Sequence, residues 1–239
     1  MNALVLAGGL GTRLRTTVPD RPKALAEING EPFIRLLLRR LSALGVTRVV
    51  LCLGHQARQI IDYVAGHDHP GLHVQFEVES SPLGTAGSIR NAAPLLGGGA
   101  ELLVLNGDTF LHFDAGELVG QHRRRRALAT VCVWRSDDAT GKGIVRFDED
   151  DRLISYAEKT GGGSGWVNAG VYVLHKAVLE RIPAGRPSSL EREVLPALLA
   201  DSERVWAHRC AGPFIDIGTP SDYIRAQTLL APYAWNPSR

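Results

Sequence analysis

Residues 4–15 of the chain, LVLAGGLGTRLR, join a short apolar run to a glycine-rich turn. The apolar residues 4–7 predict a buried strand. Three glycines follow it directly, namely Gly8, Gly9 and Gly11. Glycines let backbone N–H groups approach an anion with no Cβ in the way, and Thr12 and Arg13 add a hydroxyl and a planar guanidinium as further donors. The stretch therefore predicts a strand that ends in a polyphosphate-binding loop.

Two better-known phosphate loops do not match this stretch. A Walker A loop requires Lys and then Ser or Thr at the positions held here by Leu14 and Arg15. A dinucleotide-binding loop requires Gly or Ala at the end of its GxGxxG motif, and counting from Gly9 that position is Leu14. Both classes are excluded. On these residues alone, a plain strand-to-helix turn with an incidental arginine stays open.

A second basic cluster, DRPKAL at residues 20–25, follows closely. One connection therefore carries enough positive charge to surround a triphosphate, on Arg13, Arg15, Arg21 and Lys23. With GGLGTRL at residues 8–14 and PK at 22–23, the chain resembles the sugar-1-phosphate nucleotidyltransferases, whose signature is GGxGTRL followed by PK. The resemblance implies that the loop holds a nucleoside triphosphate and that Arg13 and Lys23 act in catalysis by stabilising charge on its phosphates. The nucleotide-binding residues that it implies here are Leu6, Ala7, Gly8, Gly9, Gly11, Thr12, Arg13 and Lys23.

Another glycine-bearing loop, ESSPLGTAG at residues 79–87, precedes a predicted helix. Its small residues would let a flat base lie against the backbone, but a simple turn in which Thr85 caps the helix fits equally well. The resemblance implies that this segment contacts the base. The residues it implies are Glu79, Pro82, Gly84 and Thr85.

Two aspartates follow apolar, strand-like runs. Asp108 comes after residues 102–105, LLVL, and Asp216 lies in FIDIGTP at residues 214–220. Ligands bind at the carboxyl ends of strands in open α/β sheets, and Mg²⁺ needs few protein carboxylates when phosphates and water complete its shell. An Asx turn is the alternative for Asp108 alone. The resemblance implies that both aspartates are Mg²⁺ ligands and that Asp108 is catalytic.

The sugar phosphate is assigned through the resemblance. From the residues alone, Glu158 and Lys159 are as well explained by a solvated ion pair, because neighbouring strand residues point to opposite faces. The resemblance implies that Lys159 binds the phosphate, Glu158 the sugar hydroxyls and Asn168 the sugar. Thr160 stands where the family has proline, and Lys142 where an aromatic residue is common. The remaining residues implied on this side are Asn106, Gly107 and Gly143.

Composition limits the class of protein. The 239 residues are 44% hydrophobic and 22% charged, which is ordinary for a globular domain and excludes a disordered or fibrous chain. The formal charge of +2 is too small to indicate nucleic acid or an anionic membrane as a partner. We expect one nucleotidyltransferase domain over residues 1–232 and a tail over 233–239. The sequence leaves open whether the chain forms a homo-oligomer.

Cysteine usage and hydropathy indicate the compartment. Cys52, Cys132 and Cys210 lie far apart with no CxxC spacing, which favours reduced, buried thiols over a disulfide framework. We see no signal peptide and no apolar run of about 18 residues that would span a bilayer. A cytoplasmic location with no membrane contact is therefore expected.

Strand and helix patterns alternate through the first half. They predict an α/β fold with a Rossmann-like, mixed and mostly parallel sheet, helices on both faces, and a small strand-rich subdomain on the substrate side. Strands are expected at 48–53, 73–78, 102–105, 129–134, 144–147, 153–158, 171–174 and 205–210, and helices at 32–45, 57–64, 85–93, 190–199 and 221–230. The glycines of residues 161–165 predict a hairpin or lid loop rather than an interdomain linker.

The resemblance extends over these motifs in family order, and it implies a Mg²⁺-dependent transfer of a nucleotidyl group to a sugar 1-phosphate, giving an NDP-sugar and pyrophosphate. The segments PLGTAG, NGDTF and FIDIGTPSDY look most like the guanylyltransferases that use GTP and D-glycero-α-D-manno-heptose 1-phosphate in surface polysaccharide biosynthesis. Mannose-1-phosphate guanylyltransferases and the uridylyl- and thymidylyltransferases share most of these residues. A non-catalytic NDP-sugar-binding module and a glycosyltransferase are the other classes to be distinguished.

Overall fold

The computed structural model describes residues 1–157 and 163–233. Its strands, in chain order, are β1 (Asn2–Leu6), β2 (Glu27–Ile28), β3 (Glu31–Pro32), β4 (Arg48–Leu53), β5 (His73–Val78), β6 (Glu101–Asn106), β7 (Thr109–Leu111), β8 (Ala129–Ser136), β9 (Ile144–Phe147), β10 (Leu153–Ala157), β11 (Gly165–His175), β12 (Val205–Cys210) and β13 (Phe214–Asp216). The α-helices are α1 (Phe33–Ala43), α2 (Ala57–Ala65), α3 (Gly84–Ala92), α4 (Ala115–Arg124), α5 (Leu195–Ala200) and α6 (Pro220–Leu229).

The first half forms the parallel part of the central sheet. β1 pairs in parallel with β4 on one side and with β6 on the other, and β4 pairs in parallel with β5. Ala3, Leu4 and Val5 of β1 are fully buried. Such continuous apolar strands are typical of parallel sheets that are covered on both faces. The predicted strands and the mostly parallel sheet are confirmed here.

The second half extends the same sheet with antiparallel pairs. β11 lies antiparallel beside β6 and also beside β8, and β12 pairs in parallel with β8. The hairpin of β9 and β10 continues the sheet past β11. These strands form the strand-rich region predicted for the second half, and all of them belong to the central sheet.

β11 is longer than expected. Asn168 was predicted to precede a strand that starts at residue 171, and this is wrong, since β11 runs from Gly165 to His175. The register shifts between Asn168 and Tyr172, and Gly170 has φ of 66°. Residues 168–170, Asn-Ala-Gly, therefore lie within one continuous strand, and the register shift among them is that of a β-bulge.

Helices cover both faces of the sheet. Ile34 and Leu38 of α1, Ile60 of α2 and Leu118 of α4 belong to one buried cluster. The cluster on the other face includes Ile89 of α3 and Leu195 and Leu198 of α5. The predicted helix at 190–199 divides into a π-helix, Leu190–Val194, and α5. Short 3₁₀ turns cover Lys23–Leu25, Ala93–Leu96, Lys176–Arg181 and Ala231–Tyr233.

Two short strand pairs lie beside the central sheet. β13 pairs antiparallel with β7, which places Asp216 opposite Thr109. β2 and β3 form a hairpin whose Glu27 carbonyl accepts from Tyr223 OH at 2.7 Å and from Gln227 Nε2 at 2.9 Å, both on α6. These contacts join the segment after Lys23 to the segment after Asp216.

Two further expectations concern cysteines and membranes. All three cysteines are buried and unpaired, in agreement with the prediction of reduced thiols. Among residues 1–157 and 163–233, no helix combines the length and the apolar character that a bilayer span requires.

Candidate active site

A cleft of about 750 Å³ opens at the carboxyl ends of β1, β4, β5 and β6. This is the edge at which open α/β sheets bind ligands. The structure brings all the residues predicted to bind nucleotide to the lining of this cleft: Leu6, Ala7, Gly8, Gly9, Gly11, Thr12, Arg13, Lys23, Glu79, Pro82, Gly84 and Thr85. Asn106, Gly107 and Asp108 line it as well.

Charged groups converge at one end of the cleft. Lys23 Nζ donates to Asp108 Oδ2 at 2.7 Å and to Asp216 Oδ1 at 3.1 Å. Gly218 lies beside three charged groups, since a Cβ built on it would be 2.9 Å from Asp216 Oδ1, 3.0 Å from Lys23 Nζ and 3.1 Å from Arg13 Nη2. Two cations and the Asp216 carboxylate therefore lie close around Gly218, and Lys23 links them to Asp108.

The short strands explain why two distant aspartates meet. Asp108 follows β6, and the antiparallel pair of β7 and β13 brings Asp216 to the same end of the sheet. The Ile217 N–H donates to the Asp108 carbonyl at 2.9 Å, which fixes the two segments together. The position of Asp216 thus depends on pairing between residues more than 100 positions apart.

The electrostatics of this centre follow from burial and proximity. Burial opposes the charge on Lys23, but the two carboxylates outweigh it and hold the pKa of the lysine above its usual range. Burial and then the charge of Asp108 raise the pKa of Asp216, against the opposite effect of Lys23. The two carboxylates repel each other and are stabilised by a cation between them.

These residues fit a magnesium ion shared with phosphates. Oxygens of Asp108 and Asp216 already converge on one cationic atom, the Nζ of Lys23. In the described ranges no group of three or more His, Cys, Asp or Glu side chains could form a metal cage. Two carboxylates with open positions suit Mg²⁺, which keeps water and phosphate ligands.

Of the four cations predicted to surround a triphosphate, Arg13 and Lys23 line the cleft. Arg15 Nη2 contacts His55 Nε2 at 2.7 Å, and Arg21 forms an ion pair with Glu27. Both arginines border a small adjoining pocket. Local partners thus hold two of the four cations beside the main cleft, and the expectation that all four surround a triphosphate stays a prediction.

The start of α3 differs from the prediction. Leu83 is the N-cap and makes no side-chain cap, so Thr85 does not cap the helix. Glu79 supplies the nearby acceptor, with Oε2 accepting from the Leu83 N–H at 3.1 Å and from Ser88 Oγ at 3.0 Å. The Thr85 hydroxyl instead donates to Glu191 Oε2 at 2.6 Å and accepts the Leu190 N–H at 2.8 Å.

Gly84 explains how the second half approaches this loop. Its φ is +69°, and a Cβ on it would lie 2.5 Å from the Ser188 carbonyl oxygen. That oxygen accepts from the N–H groups of Ala86 at 3.0 Å and Gly87 at 3.3 Å, in the first turn of α3. Residues 188–191 therefore hold in place the loop of residues 79–87, the segment predicted to contact the base and called the base-side loop below, and nothing in the sequence predicts this contact.

The predicted sugar-side residues lie next to the cleft on β11 and before β9. Asn168 Nδ2 donates to Tyr172 OH at 2.6 Å and to Tyr156 OH at 3.0 Å, and its N–H donates to the Gly143 carbonyl at 2.9 Å. Asn168 and Gly143 do not line the 750 Å³ cleft. Glu158 and Lys159 lie outside the described residues.

Asn106 joins this side to the cleft. A Cβ on Gly170 would lie 2.9 Å from Asn106 Nδ2, so the bulge of β11 packs directly on this amide. Asn106 Oδ1 is buried and makes no hydrogen bond within the described part of the chain. An unpaired buried acceptor costs free energy, and a ligand hydroxyl would satisfy it.

Several cleft residues were not singled out from the sequence. They are Leu10, Pro22, Ala24, Cys52, Gly54, His55, Ser80, Ser81, Ser88 and Gly218. Gly54 and His55 follow the buried strand β4, and this position at the carboxyl end of a strand is the signal that would have identified them.

The chain was compared with known proteins. The family model described as nucleotidyl transferase matches residues 2–232. Similar proteins include mannose-1-phosphate guanylyltransferase of Mycobacterium tuberculosis, 37% identical over 232 residues, and probable mannose-1-phosphate guanylyltransferase 1 of Oryza sativa subsp. japonica, 35% identical over 234 residues. Each alignment covers 96% of this chain, and the chain spans 64% of the length of each relative.

Solved structures agree with these matches. HddC from Yersinia pseudotuberculosis is 33% identical and superposes with a TM-score of 0.84 over 95% of this chain and 98% of that one. A second HddC structure, complexed with GMP-PN, gives a TM-score of 0.85 over the same shares. A Bacillus anthracis structure at 20% identity has a TM-score of 0.86 and shares the fold.

Proposed function

Because the chain belongs to the nucleotidyl transferase family, we propose that it is a sugar-1-phosphate nucleotidyltransferase, most specifically a guanylyltransferase. The observation that carries this proposal is the convergence of Arg13, Lys23 and Asp216 around Gly218, with Asp108 held to the same Lys23, at the end of a cleft lined by a glycine loop. Cations and a pair of carboxylates beside a phosphate loop suit the transfer of a nucleotidyl group from a triphosphate to the phosphate of a second substrate.

The reaction needs positioning and charge stabilisation more than proton transfer. An oxygen of the sugar phosphate attacks the α-phosphorus in line, a new P–O bond forms, and the bond from that phosphorus to pyrophosphate breaks. The attacking phosphate is already ionised, so no general base is required. Arg13 and Lys23 neutralise charge on the triphosphate and on the departing pyrophosphate.

We assign Asp108 and Asp216 as the residues that hold Mg²⁺. When bound, the ion would neutralise phosphate charge that the two cations leave uncompensated. Without it, Lys23 keeps the two carboxylates together, as the contacts of 2.7 Å and 3.1 Å indicate. The aspartates therefore have a compensating charge in either condition.

Guanine is the proposed base. The named relatives are guanylyltransferases, and the HddC structure was obtained with GMP-PN. Glu79, which the resemblance assigns to the base, lines the cleft next to the glycine loop, and a Cβ on Gly8 would be 3.0 Å from its Oε1. A carboxylate accepts hydrogen bonds only, and the edge of guanine carries neighbouring N–H donors, which supports this choice.

For the sugar we propose D-glycero-α-D-manno-heptose 1-phosphate, on the resemblance of the PLGTAG, NGDTF and FIDIGTPSDY segments. Mannose 1-phosphate is the second candidate, favoured by the names of the relatives. The two sugars share the manno configuration, so Asn106 and Asn168 would face the same ring hydroxyls in both. The acceptor Oδ1 of Asn106 is suited to one of these hydroxyls.

The deciding experiment measures pyrophosphate release by the purified protein with Mg²⁺, across four nucleoside triphosphates and the 1-phosphates of mannose, glucose and D-glycero-α-D-manno-heptose. Turnover with GTP and the heptose phosphate alone supports the full proposal. Turnover with GTP and mannose 1-phosphate keeps the guanylyltransferase and replaces the sugar. Nucleotide binding without turnover of any substrate pair would overturn the proposal that the protein is an enzyme and would favour a non-catalytic binding module.

A matched pair of variants separates a nucleotidyltransferase from a glycosyltransferase. Arg13→Gln removes a cation beside the proposed triphosphate site, and Arg58→Gln removes one on the exposed surface of α2. We expect Arg13→Gln to abolish pyrophosphate release and Arg58→Gln to leave it unchanged. Equal activity of both variants would contradict the triphosphate site.

A further inference from the structure

The Glu191 carboxylate accepts hydrogen bonds from the hydroxyl groups of three residues, two of which lie far from it in the chain. It lies in the π-helix Leu190–Val194, and its Oε2 accepts from Thr85 Oγ1 at 2.6 Å and from Ser189 Oγ at 3.1 Å. Its Oε1 accepts from Tyr172 OH at 3.0 Å. Thr85 belongs to the base-side loop and Tyr172 to the sugar-side strand, so one carboxylate contacts both sides of the site.

On the sugar side, Glu191 acts through Tyr172. The Tyr172 side chain is fully buried, and its hydroxyl donates to Glu191 while its oxygen accepts from Asn168 Nδ2 at 2.6 Å. Asn168 Oδ1 in turn accepts the Gly170 N–H at 3.0 Å. Since a carboxylate accepts and never donates, Glu191 sets the direction of the tyrosine hydrogen bond and with it the orientation of the Asn168 amide.

On the base side, Glu191 acts through Thr85. The Thr85 hydroxyl accepts the Leu190 N–H at 2.8 Å, so its own hydrogen is free to point to Glu191. The Ser188 N–H donates to the Leu83 carbonyl at 2.8 Å, which adds a backbone contact between the same two segments. π-Helical turns are rare and occur frequently at functional sites, which agrees with a role beyond packing.

We propose that Glu191 is a positioning residue that orients Asn168 through Tyr172 and anchors the base-side loop through Thr85. This inference rests on the proposed function and adds a residue that does not itself touch the substrates. Glu191 therefore influences both the position of the sugar, through Asn168, and the position of the base-side loop, through Thr85. Loss of Glu191 should therefore affect binding of both substrates, whereas loss of the Tyr172 hydroxyl should affect the sugar alone.

The test compares steady-state constants of the full chain and five variants, with the substrate pair that the unchanged protein uses best. Tyr172→Phe should raise KM for the sugar 1-phosphate about tenfold, as expected for losing a hydrogen bond to a charged group. Its KM for the nucleoside triphosphate should stay within about twofold. Glu191→Ala should raise both KM values, and the Tyr172→Phe/Glu191→Ala double variant should show no further increase in the sugar KM, because the two residues act in one relay.

Two more variants separate positioning from folding. Glu191→Gln keeps one acceptor for Tyr172, so its sugar KM should rise less than about threefold. Glu193→Ala is the matched control in the same π-helix, where Glu193 accepts from the Ser189 N–H at 2.9 Å and from Ser188 Oγ at 3.3 Å. It should leave both KM values unchanged, and thermal unfolding of all variants reports any loss of the fold.

The outcomes are distinct. An active Tyr172→Phe variant with an unchanged sugar KM, or equal KM changes in Glu191→Ala and Glu193→Ala, would overturn the relay and leave the proposed function intact. Absence of pyrophosphate release by the unchanged protein with every substrate pair would overturn the proposed function and the relay with it.

Discussion

Lys23 Nζ lies 2.7 Å from Oδ2 of Asp108, although the two residues are 85 positions apart in the chain. The ion pair fixes the segment that follows the glycine loop to the end of β6. The Lys23 side chain is 12% exposed and that of Asp108 37%, so solvent screens the pair only in part. The ion pair thus holds the cation at one end of the cleft, and in the proposed reaction this preorganisation lowers the cost of stabilising phosphate charge.

Replacement of this cation is the first prediction. Lys23→Met should lower kcat/KM by about 10²–10³, the loss seen when one charge-stabilising group is removed from an active site. It should also reduce the free energy of unfolding by about 1–3 kcal/mol at neutral pH, because two neighbouring carboxylates lose their partner. Steady-state kinetics and urea denaturation measure the two effects.

Lys176→Met is the matched control for Lys23→Met. Lys176 Nζ donates to the Gly97 carbonyl at 2.6 Å, far from the cleft. Full activity is expected for it. Retention of wild-type kcat/KM in Lys23→Met would contradict the role assigned to the lysine.

The metal assignment leads to a second prediction. Asp216→Asn keeps the size of the side chain and removes its charge, so the Mg²⁺ concentration that gives half-maximal activity should rise at least about tenfold. Asp201→Asn, which changes an exposed partner of Arg181, should leave the Mg²⁺ dependence as it is. Activity measured over a range of Mg²⁺ concentrations checks both, and an identical dependence in Asp216→Asn would exclude this residue as a ligand.

A third prediction tests how the two halves meet. Gly84→Ala introduces a Cβ 2.5 Å from the Ser188 carbonyl oxygen at a φ of +69°. The free energy of unfolding should fall by about 2–3 kcal/mol, from backbone strain and the loss of the contact. Gly98→Ala is the control, since nothing lies within 4 Å of its added Cβ. Equal stability of the two variants would show that residues 188–191 can move without cost.

The sequence predicted the central strands because their signal is local. β1, β4 and β6 are continuous apolar runs next to glycine or asparagine turns, and such runs are buried wherever the chain places them. β2, β3, β7 and β13 are two or three residues long, too short for any periodicity to appear. The pairing of β13 with β7 also joins segments more than 100 residues apart, and it positions Asp216.

The site was predictable to a similar extent. The glycine loop, Asp108 and the 79–87 segment carry motifs, and the fold brings them to one cleft because each follows a parallel strand. Glu191 has no motif around it, and its contact with Thr85 joins residues 106 positions apart. The preference for threonine at helix N-caps allowed Thr85 to be a cap, whereas tertiary contacts use the same hydroxyl to hold Glu191. A single sequence contains no signal for such a pair.

The last prediction concerns a histidine outside the cleft. His122, on α4, is 2% exposed, and its Nδ1 lies 2.9 Å from Thr130 Oγ1. Its Nε2 is buried and has no hydrogen-bond partner among the described residues. Burial lowers the pKa of His122 to about 4, chiefly because the charged ring would lose its hydration.

The sign of the pH effect follows from this shift. An unfolded histidine has a pKa of about 6.5, so between that pH and about pH 4 the unfolded state binds more protons than the folded state. The stability conferred by neutral His122 is complete above about pH 6.5 and falls as the pH decreases, by about 2 kcal/mol at pH 5. Urea denaturation between pH 7.5 and 5 should show this loss, and His122→Gln, which does not titrate, should show a smaller one. His208, whose pKa burial also lowers, accounts for part of the remaining slope in the variant. Identical slopes in the unchanged protein and His122→Gln would mean that His122 is protonated in the folded state without cost.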